Sequence, residues 1–163
     1  RQRQMCIRDR WKTPEEARKR ILYGMKQCDI MKISEEEVAF VSEQESLEKG
    51  VSFIRDNSDI KILFVTLGNK GSIAYYKDEK IYCEGIRQEH VVDTTGAGDT
   101  FCGAVLSRIL ELGTDALTEK DIREMLLFAN AAASIVVTRK GALCSMPEPE
   151  EIRAASSLID KVL

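Results

Sequence analysis

The chemistry in this sequence concentrates at Gly96-Ala97-Gly98-Asp99, where two glycines and a small residue lead into a carboxylate and then a helical apolar pattern. Gly96 and Gly98 let the backbone turn sharply and let a ligand approach with no Cβ in the way. The N–H groups that open a helix have no partner within it, and the helix dipole turns its positive end toward them, so a phosphate fits there. A carboxylate in that first turn can accept the proton of an attacking hydroxyl while backbone N–H groups hold the phosphoryl group. Aspartate is also a common capping residue, and these four residues alone leave both roles for Asp99 open. Two better-known phosphate loops are excluded. A dinucleotide fingerprint needs a third glycine where Phe101 stands, and the Gly-Lys-Ser/Thr of a Walker loop is absent.

The elements that must position this turn are readable around it. Val91 and Val92 read as the end of a short strand, and Phe101, Ala104, Val105, Ile109 and Leu112 have helical spacing up to a stop at Gly113. Upstream, Thr13-Pro14-Glu15-Glu16 is a helix start, and that helix is expected to run to about Gln27 on Ala17, Ile21, Leu22 and Met25. A short strand is expected over Asp29–Ile33, then an acidic turn, Glu35-Glu36-Glu37, opened by Ser34. A helix follows from Ser46 to about Asn57, and Ile62-Leu63-Phe64-Val65-Thr66 has the unbroken apolar character of a buried parallel strand. Turns at Leu67–Gly71 and Lys77–Glu79 make Ser72–Tyr76 and Lys80–Cys83 an antiparallel meander. A long helix over about Asp121–Val137, capped by Thr118 or Asp121, and a last helix over Glu150–Lys161 complete the pattern. Helices alternating with short apolar strands indicate an α/β layered sheet. Ligands in such sheets collect at strand C-terminal ends, where Thr66, Gly68 and Gly96 fall.

The totals narrow the function classes. The 163 residues, 44% hydrophobic and 31% charged, suffice for one globular unit with a real core. A net charge of −3 gives no basic footprint for nucleic acid. No apolar run is long enough to span a bilayer, and the charged N-terminus does not read as a signal peptide. The five cysteines (Cys6, Cys28, Cys83, Cys102, Cys144) are odd in number and lack paired metal spacing, so a reduced cytoplasmic protein is expected. A single histidine, His90, excludes a histidine metal cluster and argues against a Ser-His triad; it is expected at the surface or a strand edge. Residues 1–10 carry four arginines and no apolar period, and the run MCIRDR resembles an assembly or adapter artefact. They are set apart as a non-native or disordered start ahead of a unit over 11–163.

The longer string DTTGAGDTF, Asp93 to Phe101, is far more specific than its core. It resembles the signature near the C-terminal end of the PfkB (ribokinase-like) sugar kinases. Lys32-Ile33-Ser34-Glu35-Glu36-Glu37 resembles the Lys-x-Ser-x-x-Glu form of fructokinase-like members. The resemblance implies a ribokinase-like three-layer α/β/α sheet of which this chain holds the C-terminal, nucleotide-binding half. It implies that Gly96-Ala97-Gly98 is the anion hole and Asp99 the catalytic base. Thr66-Leu67-Gly68 would lie along the ATP phosphates, the alternative being a hairpin turn. Asn130 would lie near the adenine, or else bond a neighbouring loop. Glu37 would help order Mg²⁺ and its water, against the alternative of a serine-capped helix with a solvated acidic turn. Asp93 and Thr95, with Val136, Arg139, Gly141 and Ser145 opposite, would hold a K⁺-like monovalent cation, unless Asp93 is only a turn residue.

The activity so implied is ATP-dependent transfer of the γ-phosphoryl group to a sugar's primary hydroxyl, with fructose to fructose 6-phosphate first. 2-Dehydro-3-deoxygluconate and ribose are the next substrates, and a non-catalytic nucleotide-binding remnant is the reading from another class. The implied partners are a small-molecule sugar and ATP, with neither nucleic acid nor membrane. A homodimer of the intact protein stays open, its lid contact lying in the half this chain lacks. That other half would carry the Gly-Gly sugar motif, so the chain alone is expected to have little or no activity, because positioning supplies much of phosphoryl-transfer catalysis.

Overall fold

The computed structural model describes residues 11–141 and 143–159, and the chain divides into two units, Arg1–Leu63 and Phe64–Leu163. The arginine-rich start at 1–10, Ala142 and Lys161 lie outside the described residues. Four strands, β1 (Ile30–Ser34), β2 (Ile62–Thr66), β3 (Gly71–Tyr76) and β4 (Glu79–Glu84), form one sheet in that order, and the boundary between units falls inside β2.

The first unit holds α1 (Pro14–Met25), β1 (Ile30–Ser34), α2 (Glu35–Ser42) and α3 (Leu47–Asp56). Thr13 caps α1 by accepting from the Glu16 N–H at 3.2 Å, with Pro14 behind it. Of the four apolar residues expected inward on α1, Ala17 and Met25 are buried, whereas Ile21 and Leu22 are half-exposed. The acidic turn expected at Glu35–Glu37 is the first turn of a full helix, α2. A capping box starts it: the Glu37 N–H donates to Ser34 Oγ at 3.3 Å, and the Ser34 N–H donates back to Glu37 Oε2 at 2.8 Å. Val38 and Val41 then face inward and hold it down. Arg18 reaches from α1 to the Val41 carbonyl at 2.7 Å and pairs with Glu43 at 3.1 Å.

The second unit begins within β2 (Ile62–Thr66) and continues through β3 (Gly71–Tyr76), β4 (Glu79–Glu84), α4 (Ala97–Leu112), α5 (Glu119–Val136) and α6 (Pro149–Ile159). Ile62 to Val65 are all buried, as a strand covered on both faces requires. β3 and β4 are antiparallel, with Gly71 opposite Glu84 and Tyr76 opposite Glu79. Helix α5 is the centre of this unit, packing against α4, β3, β4 and α6. Its alanines Ala129, Ala131 and Ala132 are fully buried, which lets its neighbours come close. Thr118 rather than Asp121 caps it; Asp121 completes the capping box by accepting from the Thr118 N–H at 2.8 Å.

Two sequence expectations fail here for visible reasons. Val91 and Val92 belong to no strand and are 57% and 60% exposed. The Val92 and Asp93 N–H groups both donate to one carbonyl at the end of α5, that of Val137, at 2.8 and 3.2 Å. A single shared carbonyl is no ladder, so β-branched residues have no partner strand on which to act. Leu112, last of the expected inward row on α4, is 43% exposed, while Phe101, Ala104, Val105 and Ile109 are buried. His90 is exposed, in the loop before Val91.

Candidate functional site

Gly96 has φ 83° and ψ −9°, the left-handed conformation that glycine adopts without Cβ strain, and it is the N-cap of α4. Its own lack of a side chain means that no side chain caps this helix. The Ala97 N–H turns back to the Thr94 carbonyl at 3.3 Å, and the Thr100 N–H closes the first helical bond to Gly96 at 2.8 Å. The N–H groups of Gly98 and Asp99 have no partner among the described residues. They open a sixteen-residue helix whose dipole adds positive potential at that end.

Asp99 is exposed and its carboxylate makes no cap, ion pair or hydrogen bond among the described residues. Of the two roles open to it from the sequence, capping is not the one its side chain performs. A free carboxylate beside free N–H groups can take a proton while the amides hold an anion. The next residue, Thr100, is only 8% exposed, and its hydroxyl is buried with no hydrogen-bond partner among the described residues.

What fixes this turn is packing behind it. Phe101 and Phe64 are both buried and meet edge to face, ring centroids 6.3 Å apart and planes at 70°. Phe64 stands two residues before Thr66 on β2, and Phe101 two after Asp99 on α4, so the pair ties the start of α4 to the end of β2. Beyond Thr66 the chain turns at Gly68 (φ 63°), forms one 3₁₀ turn over Gly68–Lys70, and enters β3 at Gly71 (φ 112°). A Cβ on Gly68 would meet nothing within 4 Å, so the face it presents is open to close approach.

Asp93 accepts from the Thr95 N–H at 2.9 Å and from the Gly141 N–H at 3.3 Å. The Thr95 contacts first, then the Gly141 N–H, hold its carboxyl below the usual carboxylate range, with Lys140 helping. Gly141 in turn accepts from Ser145 Oγ at 2.6 Å, and Val136 accepts from the Arg139 N–H at 3.0 Å. The structure thus brings Asp93, Thr95, Gly141 and Ser145 into one bonded group. Arg139 sends its guanidinium elsewhere, to Glu151 on α6, an ion pair between distant residues that no local pattern announces. The group is rich in carboxylate and carbonyl oxygen, the donor chemistry a hard monovalent cation takes.

Asn130, 7% exposed on α5, has both ends of its amide engaged inside the protein. Ser72 Oγ donates to its Oδ1 at 2.9 Å, and its Nδ2 donates to the Cys83 and Glu84 carbonyls at 3.3 and 3.2 Å. These partners lie on β3 and β4 rather than in the neighbouring loop that was the alternative to a place near the adenine. Ser72 was missed by the sequence reading, although a serine in a fully buried strand signals that a polar partner waits opposite. In the first unit, Glu37 gives one carboxylate oxygen to the capping box. Among the described residues no cluster of three or more His, Cys, Asp or Glu side chains forms a metal cage. No helix among the described residues is long and apolar enough to cross a membrane.

Comparison with known proteins bears on the family and the fold. A family profile described as pfkB family carbohydrate kinase matches residues 1–149. Fructokinase-1 of Oryza sativa subsp. japonica is 39% identical over 142 residues, 87% of this chain and 44% of its own length. The chain spans less than half the length of this relative. Among solved structures, a fructokinase from Vibrio cholerae O395 in a fructose, ADP and calcium ion bound form superposes with a TM-score of 0.79 at 30% identity. The match covers 88% of this chain and 46% of that one. Arabidopsis thaliana ribokinase complexed with ribose and ATP gives a TM-score of 0.70 at 33% identity, covering 81% of this chain and 42% of that one. The α/β fold is therefore ribokinase-like.

Proposed function

The chain belongs to the pfkB family of carbohydrate kinases, and from that premise we propose that it is the C-terminal, nucleotide-binding part of an ATP-dependent sugar kinase acting on fructose. The observation that carries the reading is the exposed, unpartnered Asp99 carboxylate beside the unpartnered Gly98 and Asp99 N–H groups. Asp99 accepts the proton of the sugar's primary hydroxyl. That oxygen bonds to the γ-phosphorus while the bond from phosphorus to the bridging oxygen breaks, and ADP leaves with the bond's electron pair. The amides of the Gly96–Gly98 turn hold the charge gathering on the transferred group. Thr66 and Gly68 line the phosphates, the hydroxyl donating and the glycine giving room.

Two ions accompany this reading. Glu37 keeps one carboxylate oxygen outside the capping box to hold a water of Mg²⁺, which neutralises phosphate charge when bound. Asp93 and the carbonyl oxygens of Thr95, Val136, Arg139 and Gly141, with Ser145 behind Gly141, hold a monovalent cation that stiffens the approach to the anion hole. The Vibrio cholerae fructokinase has also been solved, as a double mutant, with fructose, ADP and potassium ion. A reducing cytoplasm is the compartment proposed, Cys28, Cys83, Cys102 and Cys144 being thiols rather than disulfides among the described residues.

The test is ADP release with fructose, ribose and 2-dehydro-3-deoxygluconate, run on this chain and on the protein extended upstream to the length of its relatives. Fructose is expected to turn over fastest in the extended protein, and Asp99→Asn to lower kcat by about 10²–10⁴-fold, the range for a lost general base. Unchanged turnover in the variant removes Asp99 from the mechanism. ATP binding with no turnover of any sugar leaves a nucleotide-binding remnant.

A further inference from the structure

Asn130 sits where the proposed reading would place a side chain close to the nucleotide base, yet its contacts run the other way. Oδ1 accepts from Ser72 Oγ in β3, and Nδ2 donates to the carbonyls of Cys83 and Glu84 at the end of β4. Ser72 is 0% exposed and Asn130 7%, so these bonds are formed away from water, where an unmatched polar group is most costly. One side chain on α5 therefore holds both strands of the hairpin.

It holds them at the end that carries the Thr66–Gly71 turn. Gly71 immediately precedes Ser72 and stands opposite Glu84. A Cβ on Gly71 would lie 2.1 Å from the Cys83 carbonyl oxygen, so the two backbones are in direct contact there. The Gly85 N–H donates to the Lys70 carbonyl at 3.1 Å, and the Leu67 N–H to that of Gly71 at 2.8 Å. Tyr82 also reaches over to the Lys70 carbonyl, at 2.6 Å. An unbroken set of short contacts runs from Asn130 through Cys83–Gly85 to the backbone of Leu67–Gly71.

We propose that Asn130 is a positioning residue, which sets the Thr66–Gly71 turn by clamping its root to α5 and acts on the nucleotide through that turn rather than by touching the base. This rests on the reading of the turn as a phosphate-lining segment. A residue contacting the base discriminates adenine from guanine; a clamp on the phosphate-lining turn affects both nucleotides alike. Ser72, which shares the clamp through a different strand, must then behave as Asn130 does.

The experiment uses the 163-residue chain as Asn130→Ala, Ser72→Ala and the double variant. Amide hydrogen exchange is followed across Leu67–Gly71, with exchange in α4 as the internal reference, and ATP and GTP affinities are measured by titration. Exchange across Leu67–Gly71 is expected to accelerate by at least about tenfold in Asn130→Ala, which removes three hydrogen bonds, a single one being worth about that factor. It should rise less in Ser72→Ala, and the double variant should add little to Asn130→Ala. Affinities for ATP and GTP should fall by the same factor. Unchanged exchange across the turn, acceleration equal in α4 and the turn, or loss of ATP affinity with GTP affinity retained, each overturns the proposal. Failure of the unaltered chain to bind either nucleotide removes the phosphate-lining role and with it the proposed action on nucleotide, whereas the exchange data test the clamp separately.

Discussion

Gly71→Ala should be among the most damaging single changes in the second unit, and its cost can be assembled from the structure. At φ 112° an alanine carries strain of about 1–3 kcal/mol. Its Cβ would lie 2.1 Å from the Cys83 carbonyl oxygen and 2.5 Å from the Gly85 nitrogen, both backbone atoms that no side-chain rotation can move. The strands must separate there, weakening the Gly85-to-Lys70 and Leu67-to-Gly71 bonds, at about 0.5–1.5 kcal/mol each. The sum is about 4 kcal/mol, or roughly 10 °C of melting temperature for a chain of this size. Gly68→Ala provides the control in the same turn. Its φ is 63° and nothing lies within 4 Å of the new Cβ, so only the left-handed penalty of about 1–2 kcal/mol applies. Urea unfolding of both variants, followed by circular dichroism, gives the two values side by side. A Gly71→Ala cost no larger than that of Gly68→Ala would refute the argument that backbone contact, rather than dihedral strain alone, requires glycine at position 71.

Two further outcomes follow from polar groups near the Gly96–Gly98 turn. Thr100→Val replaces a buried hydroxyl that lacks a partner among the described residues. It should leave stability unchanged or raise it by about 1 kcal/mol in thermal melts; a loss of that size would mean that the hydroxyl has a partner. Asp93 titrates below the usual carboxylate range because N–H groups of Thr95 and Gly141 favour its ionised form. A depressed value means that its contribution is fully present above the unfolded-state pKa, about 3.9, and disappears as pH falls through the lower folded value. The stability difference between the protein and its Asp93→Asn variant should therefore be flat above about pH 5 and shrink below about pH 4. A difference that persists undiminished at the acid end would show that Asp93 acts through its shape and not its charge.

Local rules made much of this protein legible before any coordinates. Thr13-Pro14 starts a helix, four apolar residues from Ile62 to Val65 form a buried strand, and Gly113 ends α4, because each depends on a few neighbouring residues. The glycine-rich turn and the carboxylate after it were equally plain, since an unsatisfied helix start and a left-handed glycine are properties of a short stretch. Where the local signal was balanced, it stayed undecided. Thr118 and Asp121 both suit a cap, and only the closed capping box shows that one caps while the other answers it.

The sequence by itself determined the α/β class and the family likeness, and it marked the residues for which chemical roles are proposed. Tertiary structure decided how they are held. Whether Asp99 caps its helix or stands free, whether Asn130 bonds inward or outward, and whether Val91-Val92 finds a strand to join depend on groups far away in the chain. Asn130 is 58 residues from Ser72, and Asp93 is 48 from Gly141. Hydrogen bonds and ring contacts act over a few ångströms of space and take no account of distance along the chain. A pattern read over ten or fifteen residues can name a polar group that needs a partner, but only the folded backbone chooses which one it meets.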